Sequence, residues 1–310
     1  MVSETISSSA RTVTVSAERA GQRLDNFLAR YMQGLPRPAL YRVIRTGQVR
    51  VNGGRAKPSR RLLEGDRVRI PPARLAQAKQ ANVPPAVLEK IASAIIFEDA
   101  ELLVLDKPSG LAVHGGSSVK WGVIDALRQI RPDSAPELVH RLDRETSGCL
   151  LIAKNAAVLR RLHEQFRNHE PGKRYFCLMD GRLPEDKVIV DEPLKKQERS
   201  GERYMVADAA GKPARTEFRL LENYSGFSFV EAMPLTGRTH QIRAHSTCLG
   251  LPLAGDGRYA RPERLAYWKS RGLERLFLHA HSLTVRDADD EPLQFTCRLP
   301  GALREVLDAL

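Results

Sequence analysis

The 310-residue sequence contains no apolar run approaching the roughly 18 residues that a membrane-spanning helix needs, so helical membrane classes are set aside. Cysteine is scarce. Cys149, Cys177, Cys248 and Cys297 lie far apart, and no pair has metal-ligand or redox spacing. They read as reduced, buried thiols of a cytoplasmic protein. The eight histidines have no carboxylate or thiol at a consistent interval, so no metal is expected. No GxxxxGK[ST] string is present, which removes the commonest phosphate loop, and no repeat or low-complexity tract occurs. The first ten residues are polar and Ser-rich, without the hydrophobic stretch of a signal peptide, and read as a frayed tail.

Positive charge is abundant. The formal net charge is +12, and residues 19–70 alone carry +10: thirteen cationic residues, twelve of them Arg, against Asp25, Glu64 and Asp66. Arginine's planar fork suits bidentate phosphate contacts, so this distribution points to a nucleic-acid partner more firmly than the total charge does. The apolar positions Leu24, Phe27, Leu28 and Tyr31 recur at helical spacing after Gly21. Beyond Pro36 and Pro38 a second helix has Leu40, Val43 and Ile44 on one side. At about 100° per residue, Arg42 and Arg45 fall away from that side. Val49 and Val51 predict a short strand, Asn52-Gly53-Gly54 a turn, and Val68 and Ile70 a closing strand.

Two proline pairs, Pro71-Pro72 and Pro84-Pro85, bracket an Ala/Gln/Lys-rich stretch, and residues 76–92 read as a linker with room for a short helix. From Ser93 to the end, strand-like runs outnumber helical ones and the two do not alternate. This predicts an α+β domain with a large mixed, mostly antiparallel sheet rather than a doubly wound fold. The expected organisation is a tail and first strand over 1–18, a small α/β domain over 19–75, the linker, and an enzyme-sized domain over 93–310.

The sharpest string is HRLDRETSGCLLIAKN, residues 140–155, in which a polar loop runs directly into an apolar strand. Four more strings accompany it: FEDAELLVLDKPSGLAVHGG (97–116), PGKRYFCLMDG (171–181), PLTGRTHQIRAH (234–245) and RLFLHAHSL (275–283). Together they resemble the A-type superfamily of pseudouridine synthases, which acts on ribosomal RNA, and they follow that family's order. Residues 21–72, with GQVRVNG and GDRV in place, resemble the S4 RNA-binding domain, and the combination is similar to the subfamily that acts on 23S ribosomal RNA.

The resemblance implies an isomerase that detaches uracil at N1, turns it and rejoins it through C5, with no metal or other cofactor. It implies Asp143 as catalytic nucleophile, Arg243 as the arginine pairing with it, and Tyr175 stacking on the uracil and taking part in proton removal. Arg141 would displace and replace the target base, and Leu278 would form an apolar pocket wall. Arg37, Arg42, Arg45 and Lys57 of the S4-like segment would contact RNA. The partner implied is 23S ribosomal RNA or an assembling large ribosomal particle, with the protein a monomer away from membranes. Two other readings remain: a non-catalytic ribosome-assembly factor, or the same isomerase acting on another RNA.

Overall fold

A computed structural model describes residues 10–32, 35, 37–72, 82–115, 119, 121–199 and 202–310. The chain divides into two compact units, one ending at Asn82 and one beginning at Val83.

In the first unit, β1 (Arg11–Thr14) is followed by α1 (Leu24–Tyr31), α2 (Arg37–Arg45), β2 (Arg50–Val51) and β3 (Arg67–Ile70). The strands form an antiparallel sheet in the order β1-β3-β2. Its strand alternation is clean: Val68 and Ile70 are buried while Arg67 and Arg69 are exposed, the period-2 pattern of a sheet with one wet face. Leu24, Phe27 and Leu28 of α1 pack on Leu40 and Ile44 of α2 and on Val49, Val51 and Val68. Asn52 sits at φ 52° in the turn, where its side-chain oxygen accepts from the Arg67 amide (2.7 Å) and its amide donates to Asp66 (2.6 Å). Asparagine can take this left-handed conformation, and its side chain completes the turn. The strand expected within 1–18 is β1. Residues 1–9 lie outside the described residues, but β1 pairs with β3 and Val15 is buried in the same core, so this strand belongs to the small domain.

The second unit opens with α3 (Pro85–Ser93), β4 (Ile95–Glu98), β5 (Leu102–Lys107), α4 (Val123–Ile130), β6 (Glu137–Leu138), β7 (Ser147–Ala153), α5 (Ala156–Arg167) and β8 (Gly172–Met179). It continues through β9 (Lys187–Val190), β10 (Leu194–Arg199), β11 (Glu202–Ala207), β12 (Thr216–Tyr224), β13 (Phe227–Pro234), α6 (Gln241–Cys248), α7 (Pro262–Ser270), β14 (Leu278–Arg286), β15 (Pro292–Thr296) and α8 (Gly301–Asp308). Among the described residues the main sheet has ten strands, with the path β4-β5-β7-β14-β8-β13-β12-β9 and with β15 and β6 pairing β14 and β7. All pairings are antiparallel except β7 with β14, the mixed α+β sheet the sequence predicts. Of the expected linker over 76–92, residues 76–81 lie outside the described residues, and the rest holds the short helix α3. Pro85 begins a helix, a position where its missing N–H costs nothing, and Val83 and Ile91 are buried in the core of the second unit. Cys149, Cys177 and Cys297 are buried as expected, but Cys248, at the end of α6, is exposed.

Every residue of β7 is buried, because it is a central strand covered on both faces. Just before it lies the loop 141–146. Gly148 has φ 108°, and a Cβ there would run into the Ala280 carbonyl of β14. The close approach of β7 to β14 that brings this loop against Leu278 therefore needs glycine.

Candidate active site

The loop that precedes β7 is held from below by the Lys-Pro-Ser-Gly turn. Lys107, completely buried, donates its ammonium protons to the carbonyls of Pro108 (2.9 Å), Leu111 (2.9 Å) and Arg144 (3.1 Å). Three donors meet three acceptors. Burial pulls this lysine down to about 7, Arg275 adding to the effect and Asp143 opposing it. Ser109 donates to the Glu145 carbonyl (2.6 Å), and Gly110 exchanges hydrogen bonds with Arg144 through both its amide and its carbonyl. The backbone of residues 144–145 is thus clamped, which fixes the direction in which Asp143 projects.

Asp143 faces a cavity of about 490 Å³, a size ordinary for a small-molecule site. Arg141, Asp143, Tyr175, Arg243 and Leu278 all line it, so five residues from four separated strings meet in one place. Arg42, Arg45 and Lys57 belong to the first unit, where all three are exposed. Arg37 begins α2, and its side chain lies outside the described residues.

Arg243 sits on α6 and is 4% exposed. Its closest partner is not Asp143, as the family resemblance implies, but Asp256, which it grips bidentately at 2.8 and 2.6 Å. Burial alone would lower the arginine; the hydrogen bond and charge of Asp256 outweigh it and hold the guanidinium above its ordinary value. Asp256 is fully buried and also accepts from the amides of Arg258 (3.0 Å) and Tyr259 (3.1 Å). With one side fixed on Asp256, the guanidinium presents Nη1 at 3.9 Å from Asp143 Oδ2. His240, at the N-terminus of α6, places Nε2 at 3.8 Å from the same oxygen. Both distances exceed a hydrogen bond, and such contacts tighten when substrate closes a site.

Tyr175 lies on β8 in register with Ala232 of β13 and Ala280 of β14. Burial, followed by the nearby Asp143 charge, pushes its phenol well above the ordinary tyrosine range. It is a neutral phenol at physiological pH, able to stack and to relay a proton but not to act as a standing phenolate. Leu278 is buried at the inner wall. Arg141 is exposed at the rim, beside His140, which is driven down to about 3 by burial, with the Lys173 charge second. His140 stacks on Phe166 and accepts from the Leu151 amide at 3.0 Å, so it remains a neutral structural ring. Lys173, lowered to about 8 by burial, donates to the Thr236 carbonyl at 2.9 Å.

Sequence reasoning missed Asp256 and His240. The only trace of Asp256 is its place in a Gly-Asp-Gly loop, which reads as a turn. His240 lies within one of the recognisable strings, but its proximity to Asp143 depends on tertiary structure. Among the described residues, no group of three or more His, Cys, Asp and Glu could hold a metal ion, and no helix is long and apolar enough to cross a membrane.

Comparison with known proteins identifies the family. The RNA pseudouridylate synthase family profile matches residues 101–247, and the S4 domain profile matches residues 22–68. Ribosomal large subunit pseudouridine synthase C of Escherichia coli strain K12 is 46% identical over 310 residues, covering 97% of each chain. The protein of the same name from Haemophilus ducreyi is 46% identical over 313 residues, covering 99% of this chain and 98% of its own. Among solved structures, Human RNA Pseudouridylate Synthase Domain Containing 4 superposes with a TM-score of 0.60 at 26% identity, covering 72% of this chain and 95% of its own. The chain therefore belongs to the RNA pseudouridylate synthase family and carries an S4 domain at its N-terminal end.

Proposed function

We propose that this protein isomerises specific uridines to pseudouridine in 23S ribosomal RNA, free or in an assembling large ribosomal particle, with Asp143 as nucleophile. The observation that carries the reading is the convergence of Asp143, Tyr175 and Arg243 on one cavity, together with near full-length similarity to proteins named for the RNA of the large ribosomal particle. In the proposed reaction the N1–C1′ bond breaks, uracil turns within the cavity, and C5 bonds to C1′. The hydrogen on C5 is lost and N1 gains one, so composition is unchanged. Asp143 attacks the sugar or base, or promotes elimination at the sugar. Arg243, anchored on Asp256, keeps a positive charge beside that carboxylate without competing for it, because its two strongest bonds go elsewhere.

A uridine in folded RNA is inaccessible until it leaves its stack. Arg141, exposed at the rim, is placed to take the vacated position, while Tyr175 and Leu278 receive the base between an aromatic face and an apolar wall. The S4 domain contributes phosphate contacts through Arg37, Arg42, Arg45 and Lys57 and no chemistry. The proposal has the protein acting as a cytoplasmic monomer. The experiment is direct: incubate purified protein with unmodified 23S RNA and with unmodified transfer RNA, then map pseudouridine. Modification confined to 23S RNA is expected. Modification only of transfer RNA would reassign the substrate, and no modification of either would favour a non-catalytic assembly factor.

A further inference from the structure

His240 approaches Asp143 Oδ2 as closely as Arg243 does. Its backbone is left-handed, φ 50° and ψ 23°, directly before α6. That conformation is uncommon for a residue with a Cβ and persists where the surroundings hold it. Here the surroundings are Tyr259. The two rings meet edge to face, 5.8 Å between centroids at 83°, and His240 Nδ1 lies 3.2 Å from the Tyr259 oxygen.

The hydrogen bonds at that oxygen favour one histidine tautomer. Tyr259 Oη accepts the Met205 amide of β11 at 2.9 Å. A phenol has one proton to give, and with Met205 already donating to the oxygen, the acceptor within reach is His240 Nδ1. A neutral imidazole that accepts at Nδ1 carries its hydrogen on Nε2. Nε2 is the atom that faces Asp143. Burial keeps the ring neutral, lowering it to about 4 against the opposing charge of Asp143, with Arg243 and Arg258 reinforcing the shift. The Arg243 guanidinium in turn lies over the Tyr259 ring, 5.1 Å from its centroid, so one tyrosine braces both groups that face the carboxylate.

We propose that Tyr259 fixes His240 as its Nε2–H tautomer and that His240 is a positioning residue, donating to Asp143 Oδ2 and leaving Oδ1 to react. The proposal rests on Asp143 being the reacting carboxylate. Arg243 supplies charge to Oδ2; His240 supplies a second, directional donor without a second charge. His240 Nε2 stands 3.8 Å and Arg243 Nη1 3.9 Å from that oxygen, so the bond forms as the site closes on substrate, and two groups converging on one oxygen then orient the carboxylate better than one.

The test uses the full chain labelled with 15N-histidine, in long-range proton–nitrogen NMR near pH 7.5. The His240 signals are assigned by their loss in His240→Asn. The expected result is a bare Nδ1 and a protonated Nε2 in the unsubstituted protein, giving way to mixed tautomers in Tyr259→Phe. Asparagine tolerates the left-handed backbone but is too short to reach Asp143. His240→Asn should therefore lower kcat roughly ten- to a hundredfold, about what a hydrogen bond to a charged group is worth, while KM for RNA stays within about twofold because phosphate contacts are untouched. Tyr259→Phe should lower kcat less, by roughly three- to tenfold. A protonated Nδ1 in the unsubstituted protein, or a His240→Asn kcat within about twofold of normal, overturns the proposal. An active Asp143→Asn enzyme would instead defeat the underlying assignment, and the tautomer would report on the relay independently of that outcome.

Discussion

The two units use arginine in opposite ways. In the S4 unit, Arg42 and Arg45 stand exposed on α2 while Leu40 and Ile44 of the same helix are buried. In the catalytic unit, Arg243 is 4% exposed and held along one edge, through two hydrogen bonds, by a carboxylate that is itself fully buried. An exposed guanidinium can exchange water for phosphate at little cost and adapts to whatever backbone arrives. A buried one must be paired wherever it is, so its position is set before substrate binds. The first arrangement suits affinity; the second suits geometry. The contrast extends to histidine. All eight histidines fall at residue 114 or later, so the S4 unit has none, while in the catalytic unit His140 and His240 line the cavity and His279 is fully buried.

Breaking the buried pair should have the largest effect. Asp256→Asn leaves Arg243 without its charged partner, a change that costs about 3–5 kcal/mol in buried sites. For a unit of this size that lowers the unfolding midpoint by roughly 10 °C, readable by calorimetry, and turnover should fall with it. An unchanged midpoint would mean that Asp256 is not the group that fixes Arg243. Next is Arg141→Ala. If this side chain fills the vacated stack, the loss should reach roughly tenfold or more on a duplexed target and shrink on a short, unstructured RNA, where unstacking costs nothing. Equal losses on both substrates would place Arg141 among ordinary phosphate contacts.

The exposed arginines should give a smaller effect of a different kind. Replacing Arg42, Arg45 and Lys57 together by Ala should leave the unfolding midpoint nearly unchanged. It should weaken RNA binding and flatten the plot of log affinity against log salt by about 2, near the slope that three lost contacts carry on single strands. An unchanged salt slope would remove these residues from the RNA interface.

Acid should sharpen the contrast last and most gently. Burial lowers His140 to about 3 and His240 and His279 to about 4, each from an ordinary value of 6.5. An unfolded chain takes up protons near 6.5 that the folded catalytic unit refuses until pH 4 or below, so stability falls as pH drops through that window. Asp106, held above its ordinary value by burial, works weakly in the other direction. In the S4 unit the acid-sensitive groups are Asp25 and Asp66. Hydrogen bonds from Arg23 and from the Leu63 amide respectively are the largest influences holding them below an ordinary 3.8, so this unit should keep its stability to lower pH. Hydrogen exchange at pH 7.5 and pH 5 should show protection falling in residues 83–310 before residues 11–70. Equal loss in both units would contradict the assignment of acid sensitivity to the buried histidines.

What can be read from the sequence follows physical locality. Residues 149–153 and 102–105 are apolar runs, and both lie in buried central strands. The arginine face of α2 follows from its period. The strands β10 and β11 are hidden because LKKQER and ERYMVA form a separate two-stranded sheet with no alternation of apolar residues. Helix α3 is masked by Pro84-Pro85, which signals a linker as readily as a helix start. At the site, Asp143, Tyr175 and Arg243 sit inside recognisable strings, and all three line one cavity. Asp256 is not legible in this way, since its meaning comes from a partner on α6 thirteen residues away. Nor is the role of His240, because the left-handed turn that aims it is a product of the fold.

In the proposed division of labour Asp143 does the chemistry while arginines elsewhere do the binding, and Asp143→Asn separates the two. The amide keeps the shape of the carboxylate and loses its charge and nucleophilic oxygen. The variant should fold and bind 23S RNA with a Kd within about twofold of normal, yet its rate of pseudouridine formation should fall by several powers of ten. A folded Asp143→Asn protein that still formed pseudouridine at more than about a hundredth of the normal rate would contradict a nucleophilic Asp143.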